Sequence, residues 1–355
     1  MKKKSLNVKK KVHKKLLLHL KNKRIKNNYI KFLKNINSVS NNSKFAAAVS
    51  GGPDSLALAF FLKCYSLEKN KSCFFFMVNH NLRKGSNNEA IKVQKKLKNY
   101  DINLKIINWV GKKPKSNIQA VARKYRYRLI RNQLVNNKIK VAMFGHTNED
   151  IIENFVIRLT RGSSIDGLVS FNKKVLNTNE FFKISRPLIN LNKKDLIYIS
   201  KEVFNFYIND PSNININFKR VRIRKIIKDL TTEGLDLRKI NLLIKNLTTS
   251  NNALTYYSNQ TISNFCHFKN NNKLAIVNLS ILHEPKEILF RSLSKILKIV
   301  SGNYYPSRGK KIMHLIKVLE DPKFKKTTLS GCILEKESNT LLIKEEKSKI
   351  LVKYV

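Results

Sequence analysis

From Lys44 to about Leu230 the chain alternates short apolar runs with longer stretches of helical periodicity. Phe45-Ala46-Ala47-Ala48-Val49 contains no polar residue and reads as a strand buried on both faces. It ends at Ser50-Gly51-Gly52, and a helix through Leu56 to Leu62 comes next. Cys73 to Val78, rich in Phe, predicts a second buried strand. Ser86-Asn87-Asn88-Glu89 has capping-box spacing and predicts a helix opening there and running towards Leu97. Leu104 to Val110 predicts a third strand. From Asn117 onward, Ile118, Val121, Ala122, Tyr125 and Leu129 fall near one helical face. Val141 to Phe144 predicts a fourth strand, ahead of a helix from about Asn148 to Leu159. This alternation predicts the α/β class, a parallel sheet with helices on both faces.

After about Leu230 the pattern changes. Leu235 to Phe265 looks helical and polar, Asn270 to Asn272 with Lys273 interrupts it, and Lys286 to Val300 reads as another helix. Gly302, Pro306 and Gly309 punctuate the next stretch, and short alternating runs such as Leu341-Leu342-Ile343 suggest a few strands. The expected organisation is a basic helical extension over 1–43, a catalytic α/β domain over 44–232, and a smaller mixed, mostly helical domain over 233–355. The last is expected to position RNA rather than to form a second catalytic centre.

Composition then narrows the partners. Of 355 residues, 71 are Lys or Arg and 23 are Asp or Glu, a formal charge of +48 that repels itself in a compact state. Nucleic acid offsets such a charge, because each neutralised phosphate releases counterions. A general inflation of Lys, Asn and Ile accounts for about half of the excess and makes charge alone a weaker signal. Cys64, Cys73, Cys266 and Cys332 form no CxxC pair, so thiols in a reducing, cytoplasmic compartment are expected, without structural zinc or disulfides. No run approaches the roughly 18 apolar residues of a membrane span, and Leu16-Leu17-Leu18 is too short for a secretory signal. The basic N-terminus is either a Lys-rich transit peptide or a helix packed beside the first domain and touching RNA.

The sharpest chemical signal is Ser50-Gly51-Gly52-Pro53-Asp54-Ser55, between the first strand and its helix. Glycines lack a Cβ, so their amides can approach a phosphate, and a helix N-terminus adds unpaired N–H groups. Ser50 and Ser55 offer hydroxyls, and Asp54 is the candidate Mg²⁺ ligand. The Gly-Lys-Ser/Thr ending of a Walker A loop is missing. Asp150 and Glu153 lie three apart and share a helix face, where paired carboxylates are candidates to hold Mg²⁺ or an ammonium group. Arg220 and Arg224 occupy consecutive turns of one face and suit phosphate better than any lysine. Arg123, Arg126 and Arg161 are candidate substrate or RNA contacts, whereas Trp109, the only tryptophan, reads as core. His80 and His146 end strands without zinc-like spacing. Asp210 and Asn213 suit either a turn or a ligand contact.

Ser50 to Ser55 resembles the SGGxDS loop of the N-type, or PP-loop, ATP pyrophosphatases. Further segments narrow the resemblance to the tRNA(Ile)-lysidine synthases. Val78 to Arg83 resembles VDHGLR, with Asn79 for Asp and Asn81 for Gly. Asn117 to Arg123 with Arg126-Tyr127 resembles the family's helix ending AR-x-x-RY, and Gly145 to Asp150 with Glu153 resembles AHHxDDQxET. Arg158 to Ser163 with Gly167-Leu168, then Arg186-Pro187-Leu188, resemble RLxRGSG-x-x-GL and RPLL. Asp210 to Asn213 with Phe218, Arg220 and Arg224 resembles DPSNxxxxFxRNxIR, with Val221 for Asn.

The resemblance implies a PP-loop fold, and ATP with Mg²⁺ split between the α and β phosphates. It also implies tRNA(Ile) with a CAU anticodon and free L-lysine as substrates. Asp54, Asp150, Glu153 and Arg220 are then the expected catalytic residues, with Ser50, Gly51, Gly52, Pro53, Asp54 and Ser55 binding the nucleotide. A tRNA thiolase of the same fold, or a basic RNA-binding protein with an inactive nucleotide site, are the rival readings.

Overall fold

The computed structural model describes residues 2–82, 85–111, 118–171, 175–179, 182–211, 214–303 and 307–346. Arg83, Asn117, Ser212, Asn213 and Pro306 lie outside the described residues, as do the side chains of Ile118 to Ala120. Two compact units divide the chain, Met1–Lys245 and Asn246–Val355.

The first unit opens with helices α1 (Lys2–Leu18) and α2 (Lys23–Ile36). Then come β1 (Lys44–Ala48), α3 (Pro53–Lys69), β2 (Ser72–Asn79), α4 (Ser86–Lys98) and β3 (Leu104–Asn108). The unit continues through α5 (Ile118–Asn136), β4 (Val141–Phe144), α6 (Asn148–Leu159) and α7 (Ile165–Val169). It ends with β5 (Val175–Asn179), β6 (Phe182–Ser185), α8 (Lys193–Phe204) and α9 (Lys219–Thr232). The strands form one sheet of order β3-β2-β1-β4-β6-β5, parallel except for β5. The α/β class expected from the alternation is the one observed.

β1 is central, hydrogen-bonded to β2 on one side and β4 on the other. Alanine is a poor strand former, and full burial of Phe45, Ala46 and Ala47 overrides that preference. α3 is apolar nearly all round, with every residue from Leu56 to Leu62 buried. Such a helix needs cover on its outer face too, and α2 and α8 supply it. Phe32 of α2 lies 5.4 Å from the Phe61 ring, Tyr29 lies 5.6 Å from it, and the Tyr29 hydroxyl donates to Glu68 at 2.7 Å. The N-terminal helices therefore share the core of the sheet.

Sequence spacing misplaces one helix start. α4 takes Gly85 as its N-cap, at φ +88°, and Ser86 is the first helical residue rather than the cap. Glycine meets the positive φ without a Cβ penalty, and that decides the start over the Ser-x-x-Glu pattern.

α10 (Leu237–Phe265) runs across the division between the units. The second unit continues with β7 (Cys266–Lys269), β8 (Leu274–Asn278), α11 (Lys286–Ser301) and α12 (Gly309–Leu319). β9 (Lys326–Leu329), β10 (Cys332–Glu337) and β11 (Thr340–Glu345) complete an antiparallel sheet of order β7-β8-β11-β10-β9. The interruption at Asn270 to Asn272 is a hairpin turn, all three residues having positive φ. Asparagine tolerates that region better than other residues with a Cβ. Leu293, Ile296 and Leu297 of α11 pack with Leu334, Leu341 and Ile343 of this sheet in a core of their own.

Because Phe32 is fully buried, Phe32→Ala should destabilise the whole first unit by about 3–5 kcal/mol. Urea unfolding followed by far-UV circular dichroism checks this. A loss near zero would mean that α2 is an appendage.

Candidate active site

The loop Ser50 to Ser55 leaves the carboxyl end of β1, where ligands of open α/β sheets bind. Gly51 has φ +86°, and its carbonyl accepts from the Ile208 amide at 2.9 Å. A Cβ there would lie 2.7 Å from Val93 Cγ2, so the position requires glycine on two counts. Gly52 caps α3 and Pro53 takes its first turn, where a missing N–H costs nothing. The Ser55 hydroxyl accepts from the Ser50 amide at 3.1 Å and donates to the Gly52 carbonyl at 2.9 Å, closing the loop on itself. Ser200 of α8 donates to the Pro53 carbonyl at 2.7 Å. The result is a fixed cradle of amides ahead of a helix that carries Asp54 in its first turn.

Opposite it, α6 begins after β4 and presents Glu149, Asp150 and Glu153. Asp150 Oδ2 accepts from the Thr147 amide at 2.8 Å, and Asp150 Oδ1 accepts from Arg220 Nη2. Glu153 accepts from Arg220 Nε on one oxygen and from Arg224 Nε on the other, each at 2.5 Å. Arg220 thus bridges two acids of α6 from α9, and every oxygen of Asp150 and Glu153 has a partner. Burial alone would raise the Asp150 carboxyl, but Arg220, His146, the Thr147 amide and Lys193 outweigh it and hold the group below its ordinary value.

Asp54 and Glu149 differ. Asp54 Oδ1 and Glu149 Oε2 are buried without a hydrogen-bond partner. Burial, opposed by Lys193 and reinforced by Asp150 and Glu149, pushes the Asp54 carboxyl up to about 6. Lys193, the first residue of α8, donates its amide to Glu149 Oε1 at 3.0 Å, and its ammonium lies 3.7 Å from Asp54 Oδ2. Glu149 and Lys193 are not among the sequence-derived candidates. Glu149 stands inside the Gly145-to-Asp150 segment and is legible there, whereas nothing local marks Lys193.

The remaining candidates are more dispersed. Arg123 is exposed on α5, donates to the Tyr127 hydroxyl at 3.2 Å, and acts on His146 together with Arg186 and Arg220. Arg161 is exposed in the turn after α6. Arg126 lies by His80, at the carboxyl ends of β2 and β3. Burial, then the Arg126 charge, pushes the His80 imidazole down to about 4, and neither ring nitrogen has a partner. Trp109 is buried as expected of core and stacks on Tyr125 at 4.5 Å.

A PP-loop domain model matches residues 21–230, more than half of the chain. The tRNA(Ile)-lysidine synthase of Orientia tsutsugamushi (strain Boryong) is 31% identical over 328 residues, covering 90% of this chain and 73% of its own. The chain belongs to the tRNA(Ile)-lysidine synthase family. The synthase of Wolbachia pipientis wMel is also 31% identical, over 87% of this chain and 72% of its own. Among solved structures, the U34-tRNA thiolase NcsA from Methanococcus maripaludis superposes with a TM-score of 0.51 at 20% identity. That match covers 62% of this chain and 79% of the thiolase, and it shows the shared PP-loop fold.

The raised Asp54 carboxyl carries a stability consequence of definite sign. Its neutral form favours the folded state fully below the ordinary value of 3.8, and that benefit is gone above about 6. At about 1.4 kcal/mol per pH unit, this interval sets a ceiling of roughly 3 kcal/mol on the cost of the ionised group. Asp54→Asn should therefore stabilise the nucleotide-free protein at pH 8, have little effect near pH 4, and abolish turnover. Thermal unfolding at the two pH values checks this. Equal shifts at both would remove the burial account.

Proposed function

We propose that the protein is a tRNA(Ile)-lysidine synthase. It activates the wobble cytidine of a CAU-anticodon isoleucine tRNA with ATP, then replaces O2 of that base by the ε-nitrogen of free L-lysine. One observation carries the reading: in a chain of this family, the Ser50-to-Ser55 cradle faces an acid cluster that Arg220 clamps.

The loop amides and the α3 N-terminus bind the phosphates of ATP, with Ser50 and Ser55 within the loop. Among the described residues no three His, Cys, Asp or Glu side chains form a ready-made metal site. The unpartnered Asp54 Oδ1 and Glu149 Oε2 nevertheless fit a Mg²⁺ that takes one or two carboxylates and completes its shell with phosphate and water. When bound, Mg²⁺ supplies charge neutralisation at the phosphates. Cytidine O2 attacks the α-phosphorus, an O2–P bond forms, the bond to the β-phosphate oxygen breaks, and pyrophosphate leaves. Arg220, fixed at two points, provides preorganised charge for that step. The lysine amine then forms the C–N bond at C2, and AMP departs with O2. Before that, the lysine ammonium must lose a proton. The oxygens of Asp150 and Glu153 are engaged by Arg220, Arg224 and the Thr147 amide, and the free oxygens of Asp54 and Glu149 are those given to Mg²⁺, so a water accepts that proton.

Thiolase chemistry fits less well. Burial raises all four thiols, Cys73 to about 12 and Cys266 and Cys332 to about 11, which disfavours the thiolate form. Among the described residues no helix is long and apolar enough to cross a membrane. Free cysteines accord with a cytoplasmic location.

Incubating the protein with ATP, labelled lysine and tRNA should put label into the nucleic acid and yield AMP and pyrophosphate. ADP as product would reject the reading. Pyrophosphate exchange into ATP, with tRNA present and lysine absent, isolates the first step. Arg220→Met, Asp150→Asn and Glu153→Gln should each depress that exchange at least tenfold, because each loosens the same clamp. Exchange retained in the two acid variants, with lysine transfer blocked, would instead assign the acids to lysine.

Affinity for tRNA should fall steeply with salt, by about 0.7–0.9 in log K per neutralised phosphate for each decade. Lys9, Lys10, Lys11 and Lys14 are exposed on α1, whose Leu16 is anchored in the core. Replacing the four lysines by Gln should flatten the salt slope and leave the fold intact. An unchanged slope would make this charge a compositional by-product.

A further inference from the structure

Lys193 belongs to no part of the chemistry assigned so far, yet it is held at the centre of the site. Its amide is spent on Glu149 of α6, and α8 is fixed to the phosphate loop by Ser200 on the Pro53 carbonyl. From that anchored backbone the side chain reaches Asp54, and it remains 39% exposed. At 3.7 Å the ammonium is in Coulombic contact with Asp54 without a normal hydrogen-bond distance, and Asp54 Oδ1 stays buried and unpartnered. A long, partly solvated amine on a fixed stem is suited to changing partners.

We propose that Lys193 is a substrate-binding residue that exchanges partners. It neutralises Asp54 while the nucleotide is absent, and it moves onto the terminal phosphates when ATP enters. The inference rests on the nucleotide-site reading of the Ser50-to-Ser55 loop. The electrostatics favour the exchange on both sides. A divalent cation taken by Asp54 repels an ammonium from the same carboxylate, and the β and γ phosphates present a denser negative charge than the single acid left behind. Asp54 is thereby never buried as a lone anion, and Lys193 never faces the other cations of the site without a counter-charge.

The test uses inorganic pyrophosphate and AMP as separate probes, measured by equilibrium binding to the full chain with Mg²⁺ present. Lys193→Met should weaken pyrophosphate binding about tenfold or more, leave AMP binding within about twofold, and raise the KM for ATP in pyrophosphate exchange. Lys193→Arg should restore most of the pyrophosphate affinity, because it keeps the charge. Thermal unfolding of both variants separates loss of binding from loss of fold. Unchanged pyrophosphate binding in a folded Lys193→Met protein would overturn the proposal and leave Lys193 as a salt-bridge partner only. Failure of the unaltered protein to bind either probe or ATP is a different outcome, which removes the nucleotide reading and this inference together.

Discussion

Charge balance at the carboxyl edge of the parallel sheet is the constraint on which the rest of the site depends. The chain has 71 cationic residues and 23 acidic ones, yet Asp54, Glu149, Asp150 and Glu153 gather in the N-terminal turns of α3 and α6, which follow the neighbouring strands β1 and β4. Buried carboxylates survive as anions only when paired and hydrogen-bonded. α9 meets that demand by delivering Arg220 and Arg224, one helical turn apart, to the face on which α6 carries Asp150 and Glu153. The packing of α9 on α6 is therefore an electrostatic arrangement as much as an apolar one, since Ile223 is its buried apolar residue among those described.

That arrangement divides the four acids into two kinds. Asp150 and Glu153 are saturated, and saturation gives the Arg220 guanidinium one orientation. Asp54 and Glu149 keep unpartnered oxygens, a costly condition in a buried position and one that suits groups awaiting a ligand. A carboxyl pushed up to about 6 represents the same cost viewed as acidity. The unit tolerates it because α3 is locked on both flanks, by the apolar rings of α2 and by α8.

Much of this is legible in the amino-acid sequence alone. The strands from Phe45, Cys73 and Val141 carry their class in unbroken apolar runs, the one from Leu104 in a mixed run holding Lys105 and Asn108, and β1 to β4 fall where those runs fall. The Ser50-to-Ser55 loop is legible because its parts are local: glycine, helix start and acid are consecutive. Arg220 and Arg224 are legible as a face, but not as a clamp, since their acids lie about 70 residues away in sequence. Lys193 is hidden for the same reason, its link to Glu149 spanning 44 residues with no local pattern. The helix start at Gly85 shows the opposite failure, where a genuine local pattern at Ser86 loses to backbone geometry. The Asn270-to-Asn272 break marks a real discontinuity, but strand pairing is non-local, so β7 and β8 cannot be read from it.

The difference between local and non-local signals bears on how such a site holds its specificity. Backbone amides such as those of the Ser50-to-Ser55 loop cannot by themselves distinguish one acceptor from another. What distinguishes chemistries must come from side chains brought in by other elements, here α6, α8 and α9 converging on one edge. Each supplies a charge whose partner sits on a neighbouring element, so no single helix defines the acceptor pocket. Loss of any one partner leaves an unbalanced charge near the reacting atoms rather than a simple gap. A site built this way resists gradual change of substrate, because altering one residue disturbs the pairing of the others. The loop proposed to hold phosphate is closed by its own Ser50, Gly52 and Ser55 contacts and so is insulated from that coupling.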